Sequence, residues 1–191
     1  MEQFKKFKHA QLQDIIDHLS LNSNLKETLK TDATETGVLR ELTLQSLFDV
    51  AIEYLSFGLP TRQAVWWAYL SAYEKEADMS NQINTNALRL CETWVKSMPE
   101  GLESQAKSQA EALDLNTAAS WTNMAIYFNS ENIAPKGQAH VKPAPFMTGR
   151  AIYNAHMIAS HGTDRDSILK LYLKRGLHIA MGGNGKIDFM D

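Results

Sequence analysis

Apolar side chains return every third or fourth residue along almost the whole chain, and strand-like alternation is nearly absent. A helix turns once per 3.6 residues, so this spacing gives each segment one apolar stripe that must be buried against other helices. Phe4, Phe7, Gln11, Ile15 and Leu19 follow it, with Leu12 and Ile16 beside them, and predict a first helix over Gln3–Leu19. A short helix through Leu25 and Leu29 follows Asn24, and the polar, β-branched run Thr31–Gly37 reads as a loop. One helix then carries Leu44, Leu47, Phe48, Ala51, Ile52 and Leu55 and stops at Gly58, with Pro60 just beyond. Glycine accepts the left-handed backbone of a helix end, and proline cannot continue the ladder.

The second half repeats this grammar. Helices are predicted over Thr61–Ala77, over Asn81–Ser97, from Pro99 to Leu113, and from a cap at Asn116 or Thr117 to Phe128. Residues 129–147 break the pattern with Pro135, Gly137, Pro143 and Pro145, which makes a connection longer than is usual between packed helices. Thr148 and Thr163 are placed to cap two last helices, the second reaching Met181 before Gly182-Gly183-Asn184-Gly185. The expected fold class is all-α. It is a compact irregular bundle of about eight or nine helices in one domain, 1–191, with one long Pro-containing loop and a frayed tail over 184–191. No residue pattern returns at a fixed period, which speaks against a solenoid.

Charge narrows the function classes. Lys and Arg number 19 against 22 Asp and Glu, a net charge of −3. Nothing basic is in excess to neutralise phosphates, so nucleic acid is not an expected partner. Cys91 is the single cysteine. It cannot form an internal disulfide, and a small buried apolar side chain is its plain reading. Residues 10–30 are broken by Gln, Asp, His and Asn, unlike a secretory signal, and no run approaches 18 apolar residues. The expected location is cytoplasmic, without membrane contact.

Apparent catalytic motifs dissolve on inspection. Gly182-Gly183-Asn184-Gly185-Lys186 has the wrong spacing for a phosphate loop, and Ile187 stands where Ser or Thr would bind magnesium. His156 and His161 are five apart and do not share a helix face. His178 stands beside Lys170 and Lys174, cations that disfavour a metal ion. Asp164-Arg165-Asp166 suits a helix start, where acids complement the dipole. The expectation is no catalytic residue, no metal and no cofactor.

Two features stand above this background. The run Leu59 to Tyr73 places Val65, Trp66, Ala68, Tyr69, Leu70, Ala72 and Tyr73 on a broad apolar arc, with Arg62 at its N-terminal end. Trp67 falls among Gln63, Ser71 and Glu74. A wheel at 100° per residue therefore predicts a buried Trp66 and a less buried Trp67, either covered by a neighbouring helix or free to anchor a partner. The second feature is Ile133–Met147, ending in Lys142-Pro143-Ala144-Pro145-Phe146. Prolines hold the backbone extended, so the segment is either a strap laid across the bundle with Phe146 in the core or a docking segment that loses little entropy.

The same features carry a family resemblance. The Leu-Pro-x-Arg-x-Ala-Val-Trp-Trp-Ala pattern at Leu59–Ala68 resembles the signature of an uncharacterised bacterial family of helical proteins. Ala87 through Trp94-Val95 and Pro99, Ser130 through Ala134-Pro135, Pro143-x-Pro145, Thr148-Gly149-Arg150-Ala151, Tyr172-Leu173 and Gly176 to Ala180 agree with it. The likeness spans residues 40–183. It departs at Asn129-Ser130-Glu131-Asn132, where relatives are richer in glycine, and it lacks the Arg-Arg pair behind the twin-arginine label that members sometimes carry.

Members tend to be encoded beside type VI secretion components, including spike-tip proteins. The resemblance therefore implies an adaptor or chaperone-like accessory whose partner is a spike or effector protein. Partner binding is assigned to Arg62, Trp67, Lys142, Pro143, Pro145, Phe146 and Arg150. The alternatives are an enzyme whose site is assembled only in space, drawing on Arg62, Arg150 or His156, and an immunity protein.

Overall fold

Short polar side chains start several of the helices. Asn22, Thr34, Asn81 and Thr117 each accept a backbone N–H from the first turn that follows them, which satisfies a donor the helix itself leaves open. The computed structural model describes residues 3–31, 33–76, 81–135 and 137–187. Among these, helices account for more than half of the chain and no β-strand occurs, so the protein is all-α. A 3-10 turn at His9–Gln11 leads into α1 (Leu12–His18), followed by α2 (Ser23–Lys30), α3 (Glu35–Leu44) and α4 (Phe48–Gly58). Next come α5 (Thr61–Glu76), α6 (Gln82–Ser97), α7 (Leu102–Glu111), α8 (Ala118–Tyr127), α9 (Met147–Ala159) and α10 (Arg165–Ala180). The expected helix end at Ala77 and the final part of the expected tail, 188–191, lie outside the described residues.

Contacts gather into two units, residues 1–60 with 162–191 and residues 61–161. In the first, α4 packs on α1, α3 and α10, and α1 packs on α2. Every residue from Val50 to Gly58 is buried, which makes α4 its central element. In the second, α5 packs on α6, α8 and α9, and α8 also packs on α6, α7 and α9.

The start of the first unit differs from expectation. Phe4 and Phe7 precede the helix instead of lying on it, yet both are buried. The backbone there seals other helices: Lys5 N and Lys6 N both donate to Ala180 O at 2.9 Å, and Lys8 N donates to Gly58 O at 2.8 Å. Those carbonyls end α10 and α4 and have no partner within their own helices. Gly58 also makes room for Phe7, because a Cβ on it would stand 1.9 Å from the ring.

A second difference is that α3 begins inside the expected Thr31–Gly37 loop, where Thr34 Oγ1 accepts from Gly37 N. It also ends before α4, so Leu44 and Leu47 do not share one helix. Ser46 takes a left-handed φ of 58°. Ser46 N donates to Thr43 O and Leu47 N to Leu42 O, the two bonds that close a Schellman end. Gly182 closes α10 in the same way, with bonds from Gly182 N to Ile179 O and from Gly183 N to His178 O.

Candidate functional site

The second unit owes its packing to small residues. Ala64, Ala68, Ser71 and Ala72 on α5 are buried, as are Ala118, Ala119 and Ala125 on α8 and Gly149, Ala151, Ala155 and Ala159 on α9. Small side chains let helix axes approach, and large rings then fill what remains. Trp67, at 0% exposure, and Trp94, at 1%, are the largest of these rings. The Trp67 indole meets the buried imidazole of His156 with centroids 3.9 Å apart.

This corrects the wheel reading. Trp67 is inside and Trp66 is the half-buried ring. The arc holding Trp67 and Ser71 looked polar, but Ser71 Oγ donates to Trp67 O and so behaves as a small residue. Trp67 therefore has no surface to offer a partner. Trp66 instead stacks on Tyr69 at 5.2 Å and 22°, and Tyr69 meets Tyr73, which is 51% exposed. Burial and the charge of Glu92 push the Tyr69 phenol up to about 12.

Arg62 does not enter the apolar arc. Its Nε donates to Val95 O at 2.6 Å and its Nη2 to Lys96 O at 3.0 Å, so the fork caps the last turn of α6. Asn123 ties α8 to α6, its amide donating to Ala87 O at 3.1 Å and contacting Cys91 Sγ at 3.2 Å. Burial pushes the Cys91 thiol well above its ordinary range, which keeps it protonated and unreactive at neutral pH. Of the residues an enzyme reading would use, Arg62 is held on helix carbonyls, His156 packs on Trp67, and Arg150 lies over the Tyr153 ring at 5.7 Å. Among the described residues no group of three or more His, Cys, Asp or Glu is placed to hold a metal, and no helix is long and apolar enough to cross a membrane.

The Pro-containing segment is a built loop. Asn132 Oδ1 accepts from Ala134 N at 3.0 Å and from Val141 N at 2.9 Å. Ile133 N donates to Val141 O at 2.8 Å, and Tyr127 Oη donates to Ile133 O at 2.8 Å. These four bonds staple the base of the loop to the end of α8. Beyond the staple, Val141, Lys142, Ala144 and Pro145 are exposed and Pro143 is half-buried. Lys142 pairs with Glu131 at 3.5 Å, an exposed contact of little energetic weight. Phe146 takes a left-handed φ of 64° as the N-cap of α9, the place expected for Thr148, and is half-buried. The structure thus brings Lys142, Pro143, Pro145, Phe146 and Arg150 together along the start of α9, while Arg62 and Trp67 serve the packing of α5.

A match to a family of unknown function, DUF6931, spans residues 38–180. The chain belongs to the DUF6931 family. An uncharacterised family is what the resemblance at Leu59–Ala68 implied, and the DUF6931 span covers nearly all of residues 40–183. Most of the first unit's N-terminal part, including Phe4 and the α1–α2 pair, lies outside it. No curated protein and no solved structure matches the chain.

Proposed function

We propose that this DUF6931 member acts by binding another protein, as an adaptor or chaperone-like accessory of a bacterial secretion apparatus, of type VI by its resemblance. The observation that carries this reading is the stapled loop. Four hydrogen bonds fix its base while Val141, Lys142 and Pro145 stand in solvent. An exposed loop already held in one conformation loses little freedom when a partner seats on it. The spike or effector partner and the cytoplasmic location rest on the resemblance.

The test is recovery of a secretion component from the native cell by the tagged chain, identified by mass spectrometry. Pro143→Ala with Pro145→Ala, and separately Lys142→Glu, should abolish recovery while leaving the helical circular dichroism signal unchanged. Undiminished recovery by these variants would discard the loop as the surface. Failure of the unsubstituted protein to recover any secretion component would discard the functional class.

A further inference from the structure

The first unit holds a second surface, open and apolar. Phe4, Thr36, Leu39, Arg40, Thr43, Leu44 and Leu177 line a groove of about 310 Å³. One wall is a face of α3, where Thr36, Leu39, Arg40 and Thr43 recur at helical spacing. The facing wall is Phe4 with Leu177 of α10. Leu44 is 68% exposed and Leu177 38%, large apolar surfaces that the fold itself leaves uncovered.

Charge decides what fits. Arg40 is the single charged residue of the lining, and it makes no ion pair or hydrogen bond among the described residues. Lys174 lies one turn before Leu177 on α10, is exposed, and is likewise unpaired among them. The groove thus has one uncommitted cation in its lining and a second one turn along α10 from Leu177. A second copy of the chain seated face to face would set these cations against their own kind, which opposes a symmetric dimer. A small molecule is also a poor occupant, because a site with its rim leucine mostly in solvent does not enclose a ligand. A helix with leucine-like side chains at every third and fourth position and carboxylates along its edges matches both the apolar wall and the cations.

We propose that this groove binds an acidic amphipathic helix of a partner protein. The site is separate from the Pro loop and stands or falls apart from it. The probe is a pair of fluorescein-labelled helical peptides with the same leucine spacing, one with glutamates on the flanks and one with lysines, titrated with the full chain by anisotropy. The glutamate peptide should bind about tenfold or more tighter than the lysine peptide. Arg40→Glu and Leu44→Asp should each weaken it by about tenfold without changing the melting temperature, since both side chains are exposed. Pro143→Ala with Pro145→Ala should leave peptide binding untouched, which separates a failure here from a failure of the proposed function. No binding of the glutamate peptide, equal affinity for the two peptides, or indifference to both groove substitutions would overturn the proposal. So would a dimer of the unsubstituted chain in sedimentation that Leu44→Asp dissolves.

Discussion

The Trp67 indole rests against the His156 imidazole at a centroid distance of 3.9 Å, with the rings inclined by 45° and both residues at 0% exposure. This pair joins α5 to α9 at the centre of the second unit. Truncating Trp67 to Ala should destabilise the protein by about 3–5 kcal/mol, because the surrounding helices cannot close the space. Trp66→Ala removes a ring that is only half-buried and should cost about 1–2 kcal/mol. Chemical denaturation of the two variants orders them, and a larger loss for Trp66→Ala would contradict this packing.

Arg62 bridges two helices through carbonyls that lack other helical partners. Arg62→Ala should lower stability by about 1–2 kcal/mol, reduced from the usual value of charged hydrogen bonds because the side chain is exposed. Lys in its place has no planar fork and should restore less than half of the loss. Amide exchange at the end of α6 should quicken in Arg62→Ala, and unchanged exchange there would exclude the capping role.

Glu76, on α5, accepts from Ala118 N and Ala119 N at the start of α8. Burial raises its carboxyl above the ordinary range, opposed by these backbone bonds. A raised folded value means the folded state holds the proton more tightly than the unfolded chain. The associated stability is present below the unfolded value and is lost as pH rises through the folded one. Glu76→Gln keeps an acceptor but cannot ionise. Relative to that variant, the native protein should lose less than about 1 kcal/mol as pH climbs from 4 to 7, after allowance for partial exposure. Thermal melts of both proteins across this range measure the difference, and a relative gain would reverse the sign.

Asn132 Oδ1 accepts two backbone N–H groups of the loop, from Ala134 and from Val141. Asn132→Ala should free the Ile133–Val141 connection without disturbing α8 or α9, and cost about 1 kcal/mol. Limited proteolysis should then cut between residues 133 and 142 several-fold faster, with helical content unchanged. Equal cleavage would show that Tyr127 and the Ile133–Val141 bond suffice.

Helix ends were legible where the chemistry is strongly directional. Thr117 at the start of α8 and Gly182 after Met181 act as their residue types suggest, whereas Gly58 ends α4 without a left-handed backbone and instead makes room for Phe7. Ends that rest on an unfavourable backbone were not. Ser46 and Phe146 hold left-handed conformations that neither residue prefers, and nothing local announces them, because tertiary packing imposes the turn. The two tryptophans were exchanged for a related reason. Hydropathy on a wheel ranks side chains by transfer energy, whereas close helix packing selects small ones, so the face with Ala64, Ala68 and Ser71 lies inside despite its modest hydrophobicity. The groove beside Leu44 escaped because its walls come from α3, α10 and Phe4, which meet only in three dimensions.

The two backbone bonds from Lys5 and Lys6 to Ala180 bear on the order of events at the ribosome. The second unit is one unbroken stretch, 61–161, so the helices that pack within it have all emerged once that stretch is out. The first unit is made earlier but waits: α4 has no α10 to cover it, and the N-terminal segment has no α10 end to seal, until the last helix is synthesised. Its long-range closure comes late, with Leu55, Phe57 and their neighbours exposed in the interval. Substitutions in α10 should therefore act on yield in the cell more strongly than their effect on the finished fold would suggest.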